Sequence, residues 1–320
     1  MKYLITGGAG FIGSHLAEQL LAGGHDVVLL DDLSTGRLVN IAAIRNHPRM
    51  QFVRGSVEDE MTVNVVMHHC DMVFHLASAV GVQLVVQEPV RTIRTTIRGT
   101  EVVLAAAHRF GKPVLITSSS EVYGKGTKVP FCEDDDVVMG ATRHSRWCYA
   151  YSKGIDEFLG MAYHLQYDLP VTIVRLFNTV GPRQVGMYGM VLPRFVTAAL
   201  AGAPLQVYGD GLQARCFCHV ADVVDALVRL MEKRSAAGEV YNVGSDEEIS
   251  IIGLANRVIQ RTKSTSQIEY QTYEQAFGRS FDDMLRRVPS LEKIDAAIGF
   301  KPSHNLDQII DAVIADQSGK

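Results

Sequence analysis

The chain has 320 residues, 47% of them hydrophobic and 21% charged, the balance of a globular protein with a sizeable core. A net charge of −4 excludes a general affinity for nucleic acid or anionic membrane, and no run approaches the ~18 apolar residues of a spanning helix. Lys2 is followed by Tyr-Leu-Ile-Thr and then at once by glycines, a start in which no secretory signal is readable and none is expected. The five cysteines (Cys70, Cys132, Cys148, Cys216 and Cys218) are odd in number and scattered, with no second pair at zinc spacing. Free thiols in a reducing cytoplasm are the expectation.

Short apolar runs alternate with helical patterns from the start. Residues 2–6 read as a strand and 13–22 as a helix with Leu16, Leu20 and Leu21 on one face. Strands follow at 27–30, 51–54, 72–76 and 114–118, with a long helical pattern over 90–108 between the last two. Two more helix–strand units occupy 151–167 with 171–175, and 220–231 with 240–243. Continuous Val/Ile/Leu strands separated by helices mean a buried parallel sheet with crossover connections. The fold class is therefore α/β, a Rossmann doubly wound parallel sheet with a smaller α/β substrate-binding domain. From Asn178 onward glycines and prolines break the pattern into short pieces. The expected division puts 1–177 plus 220–244 in the cofactor-binding domain, and 178–219 plus 245–320 in the other.

Gly7, Gly10 and Gly13 form a turn between the first strand and the first helix. A dinucleotide needs that turn because its pyrophosphate must approach bare backbone and the free N–H groups at a helix start. Asp31 closes the second strand, where a carboxylate accepts from the adenosine ribose hydroxyls and repels a 2′-phosphate. NAD is thus favoured over NADP. Asp32 fits the role of a solvated turn residue better.

Tyr149 and Lys153 stand four residues apart on one helix face. A nearby ammonium favours phenolate and is expected to draw the Tyr149 pKa down from ~10 toward neutrality, making the phenol a base for a sugar hydroxyl. Upstream, Ser118-Ser119-Ser120-Glu121-Val122-Tyr123-Gly124 follows a strand and brings hydroxyls to the carboxyl edge of the sheet.

With these segments, Asp31-Asp32-Leu33-Ser34-Thr35-Gly36, His75-Leu76-Ala77-Ser78, Phe177-Asn178-Thr179-Val180-Gly181-Pro182-Arg183 and Val207-Tyr208-Gly209-Asp210-Gly211-Leu212-Gln213-Ala214-Arg215 complete a resemblance over almost the whole length. The chain resembles the extended short-chain dehydrogenases/reductases that act as nucleotide-sugar epimerases, dehydratases and decarboxylases. The resemblance implies that Gly7, Gly10, Phe11, Ile12, Gly13, Asp31, Ser34, Thr35, Gly36, Ser56, Val57, Leu76, Ala77 and Ser78 hold NAD. It implies Ser119 on the reacting hydroxyl, Tyr149 as base and Lys153 on the nicotinamide ribose. It also implies Asn178, Arg183, Arg215 and Tyr208 on a UDP-sugar, where an arginine fork suits a diphosphate. Two positions depart from the family: Gly55-Ser56 replaces the usual Gly-Asp, and Thr95-Thr96 stands where an Asn is usual.

Family members share oxidation at C4 and diverge afterwards. Ser120-Glu121 in place of Asp-Glu counts against dehydration. Together with Arg287 in Arg286-Arg287-Val288-Pro289-Ser290, it resembles the UDP-glucuronate decarboxylases. Ala79-Val80-Gly81-Val82 resembles the epimerase branch instead, so a UDP-glucose or UDP-glucuronate 4-epimerase is the alternative. A non-catalytic NAD-sensing regulator is a remote third, disfavoured because both Tyr149 and Lys153 are present. Within the family, helices at about 90–108 and 149–167 form a homodimer's four-helix bundle.

Overall fold

Seven apolar runs pair as parallel strands, and the helices between them cover both faces. The computed structural model describes residues 1–79, 81–186, 189–277 and 284–319, apart from the side chains of 82–84 and 277. In chain order it begins β1 (Lys2–Thr6), α1 (Phe11–Ala22), β2 (Asp26–Asp31), β3 (Met50–Arg54), α2 (Glu60–His68) and β4 (Met72–His75). Next come α3 (Val82–Gln87), α4 (Pro89–Phe110), β5 (Val114–Ser119), α5 (Trp147–Tyr167) and β6 (Val171–Leu176). The middle holds β7 (Thr179–Val180), α6 (Val191–Leu200), β8 (Leu205–Tyr208), β9 (Ala214–Cys216), β10 (Cys218–His219), α7 (Val220–Glu232) and β11 (Glu239–Val243). The last part is β12 (Glu248–Ser250), α8 (Ile251–Thr262), β13 (Ile268–Gln271), α9 (Tyr273–Phe277), α10 (Glu292–Ile298) and α11 (Leu306–Ser318).

The main sheet has the order β11-β6-β5-β4-β1-β2-β3, every pair parallel. Side chains alternate across it, as the period of two requires. Tyr3 and Ile5 join Leu16, Leu20 and the α7 residues Val223 and Leu227 on one face. Leu4, Val28 and Leu30 join Val63, Val102 and Val103 of α2 and α4 on the other. Each such leucine, fully buried, contributes about 2 kcal/mol of transfer free energy. The helix α2 was not expected from the sequence. It is short and three of its apolar residues are valines, which suit a strand as well as a helix, and its start depends on Asp59, whose side chain accepts from the Met61 N–H.

The strand order reverses between β1 and β4, which opens a crevice at the carboxyl ends of those strands. A separate apolar cluster, including Leu192, Phe195, Leu254 and Ile310, is built by α6, α8 and α11 and faces that crevice with three two-stranded sheets. Ile294 and Phe300 pack instead with the main-sheet cluster. No described helix is long and apolar enough to cross a membrane.

Candidate active site

A cavity of about 480 Å³ lies in the crevice, lined from both cores. Its floor is the glycine turn. Gly7 has φ +70°, which only glycine adopts without strain. A Cβ on Gly13 would press into the Gly7 carbonyl oxygen and come within 2.9 Å of Gly8 Cα, so neither neighbour could yield. No side chain caps α1, which leaves the N–H groups of its first turn, at Phe11 and Ile12, free for an anion.

At the far end Asp31 accepts from the N–H groups of Ala9 (2.9 Å) and Leu33 (2.8 Å). Burial raises its pKa and those two hydrogen bonds pull it back. A Cβ on Gly36 would come within 2.6 Å of that carboxylate, so the loop packs its backbone on Asp31. Ser34, Thr35, Val57, Leu76, Ala77 and Ser78 line the same cavity. Ser56 faces a shallow recess beside it, its hydroxyl accepting from the Glu58 N–H at 3.1 Å. The bare glycine turn, the uncapped helix and the terminal acid together fit a dinucleotide.

Deeper in, Ser119, Ser120, Glu121, Tyr149 and Lys153 meet. Ser119 Oγ accepts from the Glu121 N–H at 3.2 Å, which fixes the turn after β5. Tyr149 differs from the expectation: its pKa is pushed up, not down. Burial is the largest cause, Glu121 and Asp156 add to it, and the Ser119 and Ser78 hydroxyls oppose it by hydrogen bonding. The Lys153 ammonium, which would act in the opposite sense, donates to Asp156 Oδ2 at 3.2 Å. At Thr96, where the family has Asn, a hydroxyl meets Ser78 Oγ at 3.1 Å.

Glu121 lies among arginines. Arg287 Nη1 donates to its Oε1 at 2.5 Å, and Arg146 Nη2 lies 3.3 Å from its Oε2. Burial alone would raise this carboxyl, but Arg146, Arg287 and then Arg215 hold it down to about 2. Arg287 also reaches Asn178 Oδ1 at 3.5 Å, while Asn178 Nδ2 donates to the Cys216 carbonyl at 2.8 Å. Arg215 is anchored on the carbonyls of Ala214 and Met284, both at 2.8 Å. Arg183 lines the cavity, yet its guanidinium is engaged by Glu18 at 2.7 and 2.8 Å and by Ser14 at 3.2 Å. Tyr208 lines the cavity under Arg194, whose guanidinium carbon sits 4.1 Å from the ring centre.

Sequence reasoning missed Arg146, Arg194 and Asp156. No motif marks them: Arg146 is placed by the turn that enters α5, and Asp156 has the i,i+3 spacing from Lys153 of any helical neighbour. In the epimerase-like segment, Val80 and the Val82 side chain lie outside the described residues.

Known proteins resemble the chain over nearly its whole length. The family described as GDP-mannose 4,6 dehydratase matches residues 4–313. A UDP-N-acetyl-alpha-D-glucosaminuronate decarboxylase from Bacillus cytotoxicus is 42% identical, over 96% of this chain and 94% of the relative. UDP-glucuronic acid decarboxylase 4 from Arabidopsis thaliana is 35% identical, over 99% of this chain and 68% of the relative. Among solved structures, UDP-glucuronic acid 4-epimerase from Bacillus cereus, in complex with UDP-glucuronic acid and NAD, superposes with TM-score 0.90. It is 26% identical, with 100% of this chain and 99% of that one covered. The glycine turn, the Tyr149–Lys153 pair and the match over nearly the whole length place the chain in this family, the nucleotide-sugar branch of the extended short-chain dehydrogenases/reductases.

Proposed function

We propose that the protein is an NAD-dependent decarboxylase of a UDP-linked uronic acid. The observation that carries this reading is the meeting of Arg146, Arg215 and Arg287 with the carboxylate of Glu121 in the wall of the cavity. Guanidinium forks at this place suit two kinds of anion, a diphosphate and a sugar carboxylate. A neutral hexose would offer only the diphosphate.

In this reading Ser119 holds the C4 hydroxyl and Tyr149 takes its proton. Lys153 orients the nicotinamide ribose, and Asn178 and Arg215 hold the diphosphate. Tyr208 and Arg194 meet the nucleobase. Bound NAD would supply the hydride acceptor that opens the cycle and the hydride donor that closes it. With C4 a ketone, the C6 carboxylate is part of a β-keto acid. The C5–C6 bond breaks, carbon dioxide leaves, and its electron pair moves into an enolate ending on the C4 oxygen. A proton from water then adds at C5, in the place of the lost carboxyl group. Arg287 and Arg146 orient the carboxylate, and Glu121 fixes their forks.

The 42% identical relative favours a second form of the same reaction, with an acetamido group in place of the C2 hydroxyl. NMR of reactions with UDP-glucuronate and with UDP-N-acetylglucosaminuronate tests both. A UDP-pentose from the first or its acetamido analogue from the second supports decarboxylation and identifies the C2 group. A C4 epimer with every carbon retained would show the 4-epimerase instead.

The division of labour proposed is 1–177 plus 220–244 for NAD and 178–219 plus 245–320 for the nucleotide sugar, less the stretch around Ile294–Phe300 that packs on the main sheet. We also propose a cytoplasmic homodimer. The helix α5 exposes Tyr151, Ile155, Phe158 (76%) and Leu165 (78%) at helical spacing, and α4 adds Val90 and Ile93 near its start, apolar positions that a bundle of four helices between two copies would cover. Phe158→Glu should shift the mass in solution from dimer to monomer; an unchanged mass would remove this interface.

A further inference from the structure

Lys153 is 2% exposed and its partner Asp156 is fully buried, one turn along α5. Asp156 Oδ2 accepts from Lys153 Nζ at 3.2 Å, while Oδ1 is buried without a hydrogen-bond partner. Burying a carboxylate here costs several kcal/mol unless its charge is matched, so the pair is held together by mutual need. Turns of α4 and the end of β4 close over it. The Thr100 hydroxyl lies against Asp156, and His75, 1% exposed, bonds the same hydroxyl through Nε2 at 3.1 Å.

We propose that Asp156 is a positioning residue for the Tyr149–Lys153 pair: its carboxylate tethers the ammonium and sets the pH range over which the phenol works. The inference rests on the reading of Tyr149 as base. A lysine one turn from a tyrosine lowers the phenol's pKa only as far as its charge stays uncompensated. Here the charge is compensated within 3.2 Å.

Among the described residues, the charged groups facing this site are few. Glu157, next on α5, repels Asp156, and Glu121, after β5, repels a phenolate at Tyr149. Burial, then Lys153, lowers His75 to about 3, so His75 is neutral and adds no charge. Burial raises Asp156, and the Lys153 charge and hydrogen bonds pull it back. The acid that most directly offsets Lys153 is therefore Asp156.

Asp156→Asn keeps an oxygen for Lys153 Nζ and removes the charge. With the NAD-loaded enzyme, the acid limb of the kcat/KM profile on the active UDP-uronate should move about one unit to lower pH, a tenfold gain in phenolate at a given pH. Asp156→Glu should restore the limb. A readout apart from turnover is the phenolate ultraviolet band, taken as the difference between each protein and its Tyr149→Phe counterpart. Its midpoint should fall by the same amount in Asp156→Asn. Should the Asn variant not fold, Asp156→Ser carries the same expected direction. A profile and midpoint unchanged in the neutral variant, or moved to higher pH, would overturn the proposal. Near-normal turnover in Tyr149→Phe alone would instead sink the reading of Tyr149 as base, whatever Asp156 does.

Discussion

Arg287 Nη1 donates to Glu121 Oε1 at 2.5 Å across 166 residues of chain. The two residues enter the pocket from different directions, Glu121 from the turn after β5 and Arg287 from the segment before α10. Arg146, at the start of α5, completes the clamp from a third direction. A charge cluster assembled from three elements holds its geometry only while each element is docked. Its chemistry and its stability are therefore coupled.

If the protein decarboxylates, Glu121 and Arg287 act after C4 oxidation, at the carboxyl end of the sugar. Glu121→Ala and Arg287→Ala should suppress carbon dioxide release from UDP-glucuronate by at least ~100-fold, and initial NADH formation less, because Ser119, Tyr149 and Lys153 all remain. Rapid-mixing absorbance for NADH beside carbon dioxide trapping separates the two. Equal loss in both would remove these residues from the later step.

The same carboxylate should make stability depend on acid. Its folded pKa of about 2 lies below the ordinary 4.5, so the contribution is fully present above pH 4.5 and is lost as pH falls toward 2. The shift amounts to about 3 kcal/mol of pH-dependent stability. Denaturant unfolding from pH 6 to 3 should show a shallower decline in Glu121→Gln than in the parent, although that variant starts less stable because Arg287 loses its charged partner. Parallel declines would contradict the depressed carboxyl.

Tyr149→Phe should fold normally, bind NAD normally and lose at least ~100-fold in turnover, the scale of a missing general base. The phenol is buried against the Ser119 and Ser78 hydroxyls, and its removal leaves those two free to bond each other or water. Circular dichroism, NAD titration and turnover on whichever UDP-sugar is active give the three readings. Turnover near the parent value would exclude Tyr149 from proton transfer.

Asp31→Ala should weaken NAD binding and narrow the gap to NADP, since the ribose loses its acceptor and a 2′-phosphate its repulsion. The Ala9 and Leu33 N–H groups also lose their partner, so affinity for both cofactors should fall by about tenfold or more. Fluorescence titration of both cofactors checks it. An unchanged ratio between them would show that Asp31 does not read the ribose.

Local physics wrote much of this protein into its sequence. The β1 run, the glycine turn and the acid ending β2 each state their role within a few residues, because strand period, positive φ and helix-end charge are properties of short segments. Tyr149, Lys153, Glu121 and Arg287 could likewise be picked out by spacing and resemblance. The direction of the Tyr149 shift could not: helical spacing to Lys153 promised a lowered pKa, and burial, with the charges of Glu121 and Asp156, raised it. Arg183 was equally opaque, since only the docking of the segment after β7 onto α1 gives its guanidinium to Glu18. Charge acts through space, and its strength depends on how much water is excluded. Neighbours from distant segments and the depth at which they meet are therefore decided by the tertiary packing alone.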